Sequence, residues 1–127
     1  MADQNGDVDP AIKRNILFHW GLQPPAMQTL RPIQGLMTAI HNIFPPAFGV
    51  APHDYFAKWK AVSVQDVASD DGVKKAVKKL RFFLHPDKLP KDLDNDQSFV
   101  CKILWDISND AFNEFEKMHD ELDWIGK

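Results

Sequence analysis

Cysteine is almost missing from this chain: Cys101 stands alone among 127 residues. That excludes an internal disulfide and a thiolate metal cluster, and it fits a reducing, cytoplasmic setting. No apolar run approaches the roughly 18 residues that a bilayer-spanning helix needs, so no membrane insertion is expected. The opening residues, Met1-Ala-Asp-Gln-Asn-Gly-Asp7, are acidic and polar, unlike a secretory or transit leader. His19, His41, His53 and His119 lack ligand spacing, so a bound metal is not expected. Cys101 has no base beside it in sequence and reads as structural or inert. No nucleophile–base pair and no phosphate loop is present, which argues against an enzyme and against a cofactor. Alternating β-branched runs are absent too. With the proline placement, that leaves no convincing strand and makes the class all-α.

What is present suits one small domain. At 127 residues the chain is long enough to bury roughly two thirds of its unfolded surface. Net charge is only −3, yet it is unevenly spread. Residues 72–91 hold seven basic side chains and one acid, net +6, while the remainder holds eight bases and 17 acids, net −9. A basic island on an acidic body points to a partner with a localised acidic surface. Nucleic-acid binding through that island is the weaker reading, since its surroundings are acidic and no base-reading motif accompanies it.

Read along the chain, Asp9-Pro10 opens a first helix over residues 10–20, with Ile12, Ile16, Leu17 and Trp20 at helical spacing. Gly21-Leu22 reads as its left-handed stop, and the helix is expected to stand outside the main unit. A second helix over residues 30–44 carries Ile33, Leu36, Met37, Ile40, Ile43 and Phe44 as one apolar stripe. Pro45-Pro46 closes it, and an aperiodic loop follows to about residue 57. Ser63-Val-Gln-Asp66 has capping-box spacing for a short helix. Ser69 then caps a basic helix over residues 71–84. Its one side holds Val73, Ala76, Val77, Leu80, Phe83 and Leu84; its other holds Lys74, Lys75, Lys78 and Lys79, with Phe82 among them. Pro86 stops it. After a polar connection over residues 91–96, residues 98–117 form a further helix with Val100, Leu104, Ile107, Ala111 and Phe115 facing inward. Trp105 and Phe112 lie on its flank as packing residues. The tail, with Leu122, Trp124 and Ile125, either continues this helix or folds back as a separate one.

The most specific feature is His85-Pro86-Asp87, set directly after a lysine-rich amphipathic helix and followed by Lys88. In that context the sequence resembles the J-domain family of co-chaperones, which stimulate ATP hydrolysis by Hsp70. The resemblance implies a helical hairpin with the tripeptide at its turn, the basic helix docking on Hsp70, and additional N-terminal helices. It is most similar to the auxilin-type branch through Trp59-Lys60-Ala61-Val62 and Asn109-Asp-Ala-Phe-Asn-Glu-Phe-Glu116. It covers about residues 30–117, giving an N-terminal extension over residues 1–29 and an auxilin-like J domain over residues 30–127. Ala61 stands where the branch has proline, Val77 where many relatives have tyrosine, and Leu84 where an aromatic is frequent.

The resemblance implies that His85, Pro86, Asp87, Lys74, Lys78 and Lys79 meet an Hsp70 partner, with Lys75, Phe82 and Lys88 as neighbouring candidates. Phe82 has two open readings, a partner contact or a residue covered by the N-terminal helix. The branch further implies a clathrin coat or another client as the target, with coat disassembly as the role in the first case, and a monomer is expected. The physical chemistry is compatible. Asp87 is a loop carboxylate able to accept a bidentate hydrogen bond from a partner arginine, and Pro86 restricts the backbone on either side of it. The alternative is a J-like protein-interaction module that stimulates no ATPase.

Overall fold

The computed structural model describes residues 10–125, with side chains as far as Asp120. The Asp9 cap and the side chains of Leu122, Trp124 and Ile125 lie outside the described residues. The fold is all-α. Among the described residues four α-helices carry it: α1 (Pro10–Ile16), α2 (Ile33–Ala39), α3 (Asp70–Leu84) and α4 (Asn95–Ile125). Among the described residues the β-type pairing is confined to a single bridge, Leu22 with Leu30, which closes a short loop.

The first helix does not stand apart. Ile12 and Ile16 are buried, and a π-helical turn, Leu17–Gly21, carries Trp20 into the core at 1% exposure. Its Nε1 donates to the Leu36 carbonyl at 3.0 Å, tying α1 to α2 with a buried hydrogen bond. Gly21 is not a left-handed stop either. It lies within the π turn, where an added Cβ would sit 3.3 Å from Ile107 Cδ1 of α4. The glycine is there for close approach between elements, a role that local chain pattern does not reveal.

The stripe expected on the second helix is buried throughout, but the helix is shorter than expected. Regular α geometry ends at Ala39, and Ile40–Asn42 tighten into a 3-10 turn. The loop beyond it is also more ordered than its composition suggests, with 3-10 turns at Ala47–Gly49 and Asp54–Lys58. Ser63 and Asp66 form the expected reciprocal cap: Asp66 N donates to Ser63 Oγ at 3.1 Å, and Ser63 N donates to Asp66 Oδ2 at 2.9 Å. These bonds to the Ser63 backbone and hydroxyl hold the Asp66 carboxyl below its usual value.

Ser69 caps α3, its hydroxyl accepting from Gly72 N at 3.0 Å. Asp70 and Asp71 follow in the first turn, where carboxylates oppose the positive end of the helix dipole. The helix ends at Leu84 because Pro86 has no amide to continue the ladder. Helix α4 begins earlier than the sequence indicates. Asp94 N donates to Gln97 Oε1 at 2.8 Å and Gln97 N donates to Asp94 Oδ1 at 2.7 Å, so a second capping box starts the helix at Asn95. The same helix runs on through Ile125, so the tail is a continuation.

Helices α3 and α4 run antiparallel. Three cross-pairs fix the register: Asp70 with His119 at 2.9 Å, Arg81 Nε with Asn109 Oδ1 at 2.7 Å, and the rings of His85 and Trp105 at 6.3 Å. Val73, Val77, Leu80, Leu104, Leu36 and Trp20 meet in one core between them, shared by all four helices.

Candidate docking surface

Helix α3 is amphipathic in the simplest sense. Val73, Ala76, Val77, Leu80 and Leu84 fill the core, which obliges Lys74, Lys75, Lys78 and Lys79 to project into solvent. Phe82 lies among them at 64% exposure, so the N-terminal helix does not cover it. Phe83, one residue on, turns toward the protein. Its ring stacks on Tyr55 at 4.5 Å and tilts against Trp59 at 5.2 Å. The Tyr55 hydroxyl donates to the Phe83 carbonyl at 2.7 Å, satisfying one of the orphan acceptors at the end of α3.

The loop that follows is braced from within. Asp87 N donates to His85 Nδ1 at 3.1 Å, which ties the imidazole to the backbone of the turn. The His85 carbonyl accepts from Lys88 N at 2.8 Å and Leu89 N at 3.2 Å. Trp105 of α4 meets the imidazole edge-on, supporting the ring from the side. Asp87 itself projects outward with its side chain 87% exposed. Its carboxylate lies 3.8 Å from His85 Nδ1 and has no other partner among the described residues. The result is an uncommitted carboxylate held on a restrained turn.

The structure thus brings the sequence-expected residues to one end and one face of the same helix. His85, Pro86, Asp87 and Lys88 form the tip, all exposed. Lys75, Lys78, Lys79 and Phe82 line a groove of about 730 Å³, while Lys74 lies outside that lining, toward the start of α3. Tip and face meet where Lys88 Nζ sits 4.6 Å above the Phe82 ring.

Residues outside the expected set of partner contacts complete the groove: Tyr55, Lys58, Lys60 and Phe83, beside Trp59. The aromatic pair Tyr55-Phe56 just ahead of Trp59 was a usable signal, but nothing in the chain pattern shows that this turn packs on the end of α3. A clasp fixes it there. His53 Nε2 donates to Asp92 Oδ1 at 2.9 Å, and Gln97 Nε2 donates to the Ala51 and Pro52 carbonyls at 2.8 and 3.2 Å. The His53 bond holds the Asp92 carboxyl below its usual value. A larger depression, about 1030 Å³ between residues 29–34 and 110–119, shares no lining residue with the tip or the lysine face.

No helix among the described residues is long and apolar enough to cross a membrane. No protein-family model matches the chain, and no solved structure matches it. Among curated proteins, Auxilin-like protein 1 of Arabidopsis thaliana is 33% identical over 58 residues. That stretch is 45% of this chain and 4% of that protein, so the chain spans a small fraction of its relative's length.

Proposed function

We propose that this chain is a J-domain co-chaperone that docks on an Hsp70-type ATPase and stimulates its ATP hydrolysis. The observation that carries the reading is the Asp87 carboxylate, exposed on a braced His85-Pro86-Asp87 turn at the end of the lysine face of α3. The partial similarity to an auxilin-like protein supports the same family. In this reading the lysines steer encounter with an acidic surface and set orientation, while Asp87 makes the short-range contact. The chain breaks no bond itself. It favours the hydrolysing conformation of its partner by binding that state more tightly. A cytoplasmic place of action and disassembly of clathrin coats belong to the same proposal, as the setting and client of the auxilin-type branch.

The test is single-turnover ATP hydrolysis by a panel of Hsp70s. Wild-type chain is expected to accelerate at least one of them. Asp87→Asn, which alters an exposed side chain alone, is expected to abolish the acceleration with the helical circular dichroism unchanged. Equal acceleration by the Asp87 variant rules the mechanism out. Acceleration by neither protein favours an interaction module without ATPase stimulation, a reading that the groove beside the tip keeps open.

A further inference from the structure

We propose that the groove between α3 and the Asp54–Lys58 turn is a peptide-binding site. Its ligand is an acidic linear segment of a partner protein, anchored by an aromatic or leucine side chain. Tyr55, Trp59, Phe82 and Phe83 supply an apolar floor. Lys58, Lys60, Lys75, Lys78 and Lys79 complete the lining, and no carboxylate is among it. The floor selects an apolar anchor, and the five cations select acids on either side of it.

The lysines are already placed for this. Lys58 Nζ lies 5.6 Å from the Tyr55 ring, Lys79 Nζ 5.9 Å from Trp59 and Lys88 Nζ 4.6 Å from Phe82. Cation–π attraction draws these ammonium groups over the aromatic floor, so carboxylates flanking an inserted side chain meet cations at the groove and not in bulk water. Phe82 supplies the second argument. Two thirds of a large aromatic side chain stands in solvent among lysines, and the core gains nothing from that position. The recessed part of the floor favours a peptide over an anionic bilayer: Tyr55, Trp59 and Phe83 are only partly exposed between α3 and the Asp54–Lys58 turn, where an inserted side chain reaches them and a headgroup plane does not. The site shares Lys75, Lys78, Lys79 and Phe82 with the proposed chaperone contact. It goes beyond that contact in its ligand, and in Tyr55, Lys58, Trp59, Lys60 and Phe83. The tip residues 85–87 are not in its lining, so it operates without them.

Fluorescence anisotropy on the full chain tests it, with a short labelled peptide in which Asp and Glu flank one Trp and one Leu. Saturable binding is expected, weakening as salt screens the lysines. Phe82→Ser, and separately Lys75→Glu with Lys78→Glu, are expected to weaken it by about tenfold or more, as hot-spot truncations do. These side chains are exposed, so the fold is retained. Asp87→Asn is expected to bind as wild type. A control peptide with Ser in place of Trp and Leu is expected to lose about tenfold as well. Equal binding of the control peptide, or no effect of Phe82→Ser, overturns the proposal. So does binding to phosphatidylserine vesicles with none to the peptide. An Hsp70 that is not stimulated defeats the function proposed above and leaves this binding curve unmoved.

Discussion

Cys101 shows how a single residue's surroundings set its chemistry. Burial within the core disfavours its thiolate and pushes the thiol from an ordinary 9.0 up to about 12. Burial also raises the Tyr55 phenol, with the nearby Cys101 charge as a lesser contribution. The linkage then has a fixed sign. In the unfolded chain the thiol ionises near its ordinary value, while the folded chain holds the proton until about 12. Stability is therefore expected to fall as pH rises through that window, because the unfolded state alone gains by ionising. Urea denaturation at increasing alkaline pH is expected to show the decline, and Cys101→Ala is expected to lessen its slope. At neutral pH the same thiol is expected to react slowly with a disulfide reagent until the protein is unfolded. The tip offers a contrast in exposure. Asp87 is left in water with its partner capacity unused, which suits a contact made with another molecule.

At the scale of elements, α3 and its neighbours show which parts of the fold local pattern specifies. The buried residues Val73, Val77 and Leu80, and Val100, Leu104 and Ile107 on α4, were legible as stripes because burial follows helical period. The Ser63–Asp66 cap was legible for the same local reason. Asp94-Asn-Asp-Gln97 has the same spacing and starts α4, although its first three residues are polar and read equally well as the end of a connection. Phe83 was legible as inward-facing, whereas its partners Tyr55 and Trp59 were not, since they approach across some 25 residues of chain. The packing of the N-terminal helix is hidden for a related reason: Trp20 looks the same in sequence whether it packs on its own helix or on Leu36.

Gly72 carries a further constraint that helical period does not reveal. An added Cβ there would collide with the Asp66 carbonyl, so the turn before α3 rests on a bare glycine. Gly72→Ala is expected to destabilise the protein by about 1–3 kcal/mol, the usual range for overpacking, despite the better helix propensity of alanine. A thermal unfolding midpoint equal to or above wild type would show that the turn yields at no cost.

At the scale of the whole molecule, the described residues share one core that includes Ile12, Ile16 and Trp20. Ile12, Ile16 and Trp20 are each at most 3% exposed, and burial of such side chains is worth ~1.5–3 kcal/mol apiece. Their sum approaches the ~5–15 kcal/mol that stabilises an ordinary domain. Deletion of residues 1–29 is thus expected to lower the melting temperature sharply or abolish cooperative unfolding. A truncated chain that melts as wild type would show instead that α1 contributes little. For the same reason, lost partner binding after that deletion is not by itself evidence that α1 touches the partner.

The clasp between His53 and Asp92, with Gln97 across the Ala51 and Pro52 carbonyls, has a mechanical consequence. It joins the segment leaving the tip to the segment carrying Tyr55 and Trp59. The tip is therefore stiff on its far side as well as along α3. A displacement of the segment that leaves the Asp87 turn is therefore expected to be resisted by the segment that carries Tyr55 and Trp59, so that the two move as one frame.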